Sequence, residues 1–239
     1  MKGFFGNFEF TGIGPAWSLT VEECFYTAAP LIFLSIKKYR IIFLQPLILL
    51  TFGFLLVMVF QSTAFYGFFE SYHFMLVYTF FGRCVEFFIG IMLARKYLQL
   101  KGKINSKGVW YTSMGIIALL FSVIGLVLLK GDLAFGISGY PGLAFHHIAV
   151  PLSTAVLIWG LINENSWIKA ILEYPLAQLL GKSSYAFYLI HTGFIYVLIA
   201  NYISANIFFV FFALNVSAIC LYQFIEKPLH EAIRAKGNN

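Results

Sequence analysis

Two adjacent carboxylates, Glu22 and Glu23, stand where a polar approach runs into an apolar segment, Trp17-Ser-Leu-Thr-Val-Glu-Glu-Cys-Phe-Tyr-Thr-Ala-Ala-Pro30. Such a pair can take a proton from a hydroxyl or orient the group that does. It can equally start a helix. Thr20-x-x-Glu23 has the spacing of a capping box, and acidic side chains suit the positive end of a helix dipole.

Three other places carry chemistry-bearing residues. Arg83 and Glu86 are three apart inside an apolar run and so share a helical face. Ionisable groups inside a membrane span mark a pathway or a site, although a mutually neutralising pair can also simply hold helices together. Ser184, Tyr188 and His191 stand at i, i+4 and i+7 and share one stripe. A histidine there can give or take a proton near neutral pH, or serve only as an interhelical hydrogen-bonding contact. In Phe224-Ile-Glu-Lys-Pro228, Pro228 is expected to stop the last helix, with Lys227 at its negative end. His146 and His147 are adjacent, and adjacent rings point in different directions on a helix, so no shared metal is expected. They are read as interfacial, His73 carries no signal, and Asn215-Val-Ser217 fits a glycosylation pattern only inside an apolar run.

The elements that position these groups follow from composition. Of the 239 residues, 60% are hydrophobic, 28 are Phe, only 11% are charged, and the mean hydropathy is +0.83. A soluble domain carries about 25% charged residues, so the lipid bilayer is the solvent here. The net charge of +6 then reports orientation and not nucleic-acid binding, because Lys and Arg collect in cytoplasmic loops. Cys24, Cys84 and Cys220 have no metal-ligand spacing and read as buried small apolar residues. The opening segment, Met1 to Glu9, lacks the apolar core of a signal peptide and resembles the middle of a loop.

A span needs about 20 apolar residues, and seven candidates appear at about 22–36, 41–60, 74–94, 109–129, 142–162, 184–203 and 206–225. Alternate loops are basic, with Lys37, Lys38 and Arg40, then Arg95, Lys96, Lys101, Lys103 and Lys107, then Lys169 and Lys182, and finally Lys227, Arg234 and Lys236. The intervening loops carry Lys130 alone. The expectation is an all-α, polytopic transmembrane bundle of about seven spans, N-terminus outside and C-terminus cytoplasmic.

Four segments resemble the acyltransferase 3 family of integral membrane enzymes. Trp17-Ser-Leu-x-Val-Glu-Glu-x-Phe-Tyr26 is similar to its "WSL-x-VEE-x-FY" signature, with Cys24 where Gln is more usual. Arg83-Cys-Val-Glu-Phe-Phe-Ile-Gly90 resembles "R-x-x-E-F-x-x-G", and Gly90 is expected to allow close helix approach. The segment from Leu180 to His191 matches "L-G-x-x-S-Y-x-x-Y-L-x-H" at Leu180, Gly181, Ser184, Tyr185, Tyr188, Leu189 and His191. Glu226-Lys227-Pro228 is similar to the closing "E-(K/R)-P" element.

The resemblance implies a multi-pass enzyme of the bacterial cytoplasmic membrane. It would move an acyl group, acetyl above all, from acyl-CoA to a hydroxyl of a surface polysaccharide or other extracytoplasmic acceptor. Glu22, Glu23, Arg83, Glu86 and His191 would be catalytic, and Trp17, Ser18, Tyr26, Ser184, Tyr185 and Tyr188 would bind substrate. No metal and no resident cofactor is implied. The family's N-terminal part, with a histidine in its first span and an Arg-rich donor site, has no counterpart here, so residues 1–239 are expected to be the C-terminal portion of a longer enzyme, inactive in isolation. Two other readings stay open: an inactive remnant, and a seven-helix receptor or transporter. Against an opsin-like receptor, the last span has no interior Lys to hold a retinal.

Overall fold

The computed structural model describes residues 4, 14–39, 42–62, 66–100 and 108–237. Arg40, Lys101, Lys103 and Lys107 of the basic loops, Ile41 at the head of the second expected span, and most of the opening segment lie outside them. The elements are helical: α1 (Trp17–Tyr39), α2 (Leu44–Phe60), α3 (Tyr72–Tyr78), α4 (Phe80–Leu100), α5 (Trp110–Lys130), α6 (Tyr140–Asn163), α7 (Trp167–Glu173), α8 (Pro175–Ile190), α9 (Phe194–Tyr202), α10 (Ile207–Leu221) and α11 (Lys227–Gly237). They form two compact units, residues 1–9 with 17–169 and residues 10–16 with 170–239.

Among the described residues, five helical stretches are long and apolar enough to cross a bilayer: Trp17–Lys37, Tyr72–Leu100, Trp110–Lys130, Tyr140–Asn163 and Ile207–Ala235. A sixth is present if the pair α8 and α9, bent by 83°, is one broken span. The expectation of seven is corrected to five or six. Helix α2 has 17 residues, short of the ~20 that a straight crossing takes, and the run at 184–203 is not one helix.

In the first unit α5 and α6 pack along their length through small residues placed seven apart on each. A Cβ on Gly115 would lie 2.4 Å from Leu157 Cα, and one on Gly160 would lie 2.3 Å from the Thr112 nitrogen. About two turns further along the pair, the Ser122 and Ser153 hydroxyls are 3.1 Å apart. Close backbone approach of this kind is what drives helix association in lipid, where apolar burial gives nothing. Helix α4 packs against α1 through Val21, Ile32, Ile36, Phe80, Cys84, Phe88 and Ile91. Gly90 does not allow close helix approach, since a Cβ there meets nothing within 4 Å. That role falls to Gly82, which touches the Leu76 backbone where Thr79 interrupts the α3–α4 stretch.

Helix α1 already begins at Trp17, so Thr20 and Glu23 are interior residues and form no capping box. The chain is already turning at Gly14–Ala16, a short 3-10 segment, and this moves the helix start upstream of the acidic pair.

In the second unit Ile199, Val210 and Leu214 form the core between α9 and α10, with Phe187 and Ile190 of α8 against it. Asn206 caps α10 through bonds accepted from the Phe208 and Phe209 N–H groups. Pro228 does not stop the last helix. A π-helical turn, Tyr222–Glu226, joins α10 to α11, and Pro228 is the second residue of α11, where a missing N–H is tolerated. Of the three free cysteines, Cys84 is buried, Cys24 half-buried and Cys220 exposed, so only Cys84 is the buried residue expected.

Candidate active site

The densest polar cluster among the described residues lies between α4 and α6. Arg83 and Glu86 project from one face of α4, with Arg83 Nε 3.0 Å from Glu86 Oε1. Helix α6 brings His146 and His147 to the same carboxylate. His147 Nδ1 is 3.7 Å from Glu86 Oε1, and one ligating atom from each of Glu86, His146 and His147 falls within 4.8 Å of the others. The two histidine rings are 5.5 Å apart between centroids and turned 70° to each other, and both still have a ring nitrogen near the Glu86 carboxylate.

The remaining ring nitrogen of His147, Nε2, lies 3.1 Å from the Leu76 carbonyl. A carbonyl only accepts, so this nitrogen carries the proton and Nδ1 carries the lone pair of the neutral ring. Trp17 completes the surroundings: Arg83 stands 6.0 Å from its ring centroid, and its ring meets Tyr78 edge-on at 5.0 Å. Two segments separated by 66 positions in sequence thus converge on Arg83. A cleft of about 260 Å³ opens here, with Arg83, Glu86 and His146 at its polar end and Ile89, Leu93 and Ile158 among its apolar walls.

Glu22 and Glu23 are exposed on α1, and no ion pair engages either among the described residues. Tyr26 is 67% exposed, whereas its neighbour Phe25 stacks on Phe87 at 4.3 Å. Ser18 is half-buried.

The second unit holds the other expected residues. His191 is the residue on which α8 ends, and the chain turns there into α9. Its Nδ1 is 2.6 Å from the Tyr188 carbonyl, which puts the proton on Nδ1 and leaves Nε2 as the base in the neutral ring. Phe187 stacks on the imidazole at 6.0 Å with an 8° interplanar angle. Tyr188 donates its hydroxyl to the Pro15 carbonyl at 3.2 Å. Ser184 is exposed and donates back to Gly181 within its own helix. Tyr185 and Glu226 share the wall of one cleft, and Lys227 shares another with Lys182.

The model of the family described as "Acyltransferase domain" matches residues 2–224. The chain belongs to the acyltransferase 3 family. Candidate O-acetyltransferases of Staphylococcus aureus strains COL, MSSA476 and MRSA252 are each 24% identical to it over 247 aligned positions. The alignment covers 97% of this chain but 39% of each relative, so the chain spans about two fifths of their length. No solved structure matches. With five or six long apolar helices and bacterial relatives, this acyltransferase-family chain is a multi-pass integral membrane protein.

Sequence reading missed two features of this family member. One is the convergence of His146 and His147 on Glu86. The other is Glu164, fully buried at the end of α6, whose two carboxylate oxygens accept from the Tyr111 and Thr112 N–H groups at 2.7 and 2.8 Å. It caps the start of α5 from a position more than 50 residues away, and no local spacing announces that. Burial pushes the Glu164 carboxyl up, but the backbone donors of α5 outweigh it and hold the group below the ordinary carboxylate range.

Proposed function

We propose that this chain forms part of a membrane O-acyltransferase that carries an acyl group, acetyl above all, from cytoplasmic acyl-CoA to a hydroxyl of a surface polysaccharide or other extracytoplasmic acceptor. The observation that carries the reading is the Arg83–Glu86 pair, 3.0 Å apart and facing a cleft beside His146, in a chain of the acyltransferase family.

The reaction removes the acceptor's hydroxyl proton, forms a C–O bond at the thioester carbonyl, and expels the CoA thiolate. The steps need a base, an oxyanion donor and an orienting group. Nε2 of His191 is the lone-pair nitrogen its hydrogen bond prescribes for a base, and the exposed Glu22 and Glu23 are the alternative bases. Arg83 supplies positive charge for the developing oxyanion, and Glu86 holds the guanidinium in place. The substrate-binding role falls, in each unit by itself, to Trp17, Ser18 and Tyr26 on α1 and to Ser184, Tyr185 and Tyr188 on α8, as the resemblance implies. The direction of transfer, from a cytoplasmic donor to an outer acceptor, is what the family resemblance implies.

The test is substitution in the native host, with ester-linked acetate on the surface glycan read by mass spectrometry. Arg83→Gln and His191→Ala are expected to lower it by about 100-fold or more, the usual effect of losing an oxyanion donor or a general base. Wild-type ester content in both strains, at wild-type protein levels, would contradict the proposal.

A further inference from the structure

The α4–α6 cluster presents an electrostatic problem that its own residues do not solve. Glu86 Oε1, His146 Nδ1 and His147 Nδ1 are all buried, and none has a hydrogen-bond partner among the described residues. The Arg83 guanidinium lies 3.0 Å from Glu86 Oε1 as an ion pair, without the alignment of a hydrogen bond. Because Leu76 fixes the His147 proton on Nε2, a lone pair on Nδ1 faces a carboxylate oxygen 3.7 Å away. A proton or a metal cation between the two atoms relieves that repulsion. A single proton shared by His147 and Glu86 satisfies those two atoms and leaves His146 Nδ1 unmet. A cation satisfies all three.

We infer that Glu86, His146 and His147 form a binding site for a divalent transition-metal ion of the zinc class. Two imidazoles and a carboxylate are a ligand set that zinc favours. Two ligands each about 2.1 Å from a tetrahedral ion lie about 3.4 Å apart, so the 3.7 Å gap between His147 and Glu86 closes with a few tenths of an ångström of side-chain movement, while the full spread of the set, within 4.8 Å, takes rotamer adjustment of up to about 1.4 Å. The Leu76 carbonyl supplies the outer hydrogen bond that orients metal-ligating histidines. Both helices are long and packed, which holds the ligands in register. The cleft at Arg83, Glu86 and His146 gives a path in and leaves a fourth coordination position open. Arg83 is the competitor, because it neutralises the carboxylate that the ion would use.

Binding is read on the purified, tag-free chain in detergent, with no acyl donor or acceptor present, so the result is independent of acyl transfer. The probes are zinc alone, measured by equilibrium dialysis and elemental analysis, and cobalt(II) alone, measured by its visible absorption. The expected result is one zinc per chain and a tetrahedral cobalt spectrum. Glu86→Gln and His146→Ala should each weaken binding by at least about tenfold, while Arg83→Gln should strengthen it by removing the competitor. His146→Ala leaves the Arg83–Glu86 and His147–Leu76 contacts in place, and monodispersity checks its fold; the wild-type cobalt spectrum needs no variant at all. Absence of stoichiometric zinc, an octahedral cobalt spectrum, or binding undiminished in both variants would overturn the site.

Discussion

At the residue scale, the chemistry turns on which atoms are left with lone pairs or charge. The Arg83–Glu86 pair was legible from spacing alone, because an i, i+3 relation holds wherever the run is helical. Arg83→Lys keeps the charge but not the planar fork that spans Glu86 and the cleft. It is expected to retain the protein level and lose transfer about as severely as Arg83→Gln, measured as ester content of the surface glycan. Glu164 gives a prediction about stability. Its folded-state carboxyl is held below the ordinary range, so its contribution is complete above the unfolded value and is lost as pH falls through the lowered folded value. Glu164→Gln should cost about 1.5–3 kcal/mol near neutrality, the range for hydrogen bonds to a charged group, and should flatten the fall in stability under acid, as read by thermal unfolding across pH. The proximity of Glu86 to the histidine pair was not legible, because residue-by-residue rotation along α6 says nothing of a carboxylate contributed by α4.

At the element scale, packing and not hydrogen bonding decides the α5–α6 hairpin. The Ser122–Ser153 contact is worth about 0.6 kcal/mol by the average for such bonds in membranes. A side chain at Gly160 instead meets the backbone of α5, and overpacking of that kind costs about 1–3 kcal/mol or more. Gly160→Leu should therefore destabilise the protein clearly more than Ser122→Ala, measured as resistance to denaturing detergent. A larger loss in the serine variant would reverse that order. Helix existence was readable from apolar runs, but helix ends were not. The Thr20–Glu23 spacing fits a cap that the chain does not use, because it is helical from Trp17. Pro228 reads as a stop, yet the π-helical turn before it lets the chain carry on into α11. The break at His191 was hidden too, since hydropathy continues unchanged through a bend of 83°.

At the scale of the whole molecule, composition was enough to place the chain in a bilayer, and it overcounted the crossings. A sliding apolar run scores Leu44–Phe60 as it scores a longer helix, although its 17 residues fall short of the usual ~20. The proposed orientation is testable on one hairpin. Asp132 follows α5 and Asn165 follows α6, and both are exposed. With Cys24, Cys84 and Cys220 replaced, Asp132→Cys should react with an impermeant maleimide in intact cells. Asn165→Cys should react only after permeabilisation, and the opposite pattern would invert the topology.

The central claim is acyl transfer from a cytoplasmic thioester to an outer hydroxyl, and sided membrane vesicles from the native host test it most directly. Labelled acetyl-CoA is supplied to the cytoplasmic face and alkali-labile label is counted on acceptors at the outer face. The account predicts ester label with the wild-type chain and a loss of about 100-fold or more with Arg83→Gln or His191→Ala. Equal label from wild-type and substituted vesicles, at equal protein levels, would contradict it.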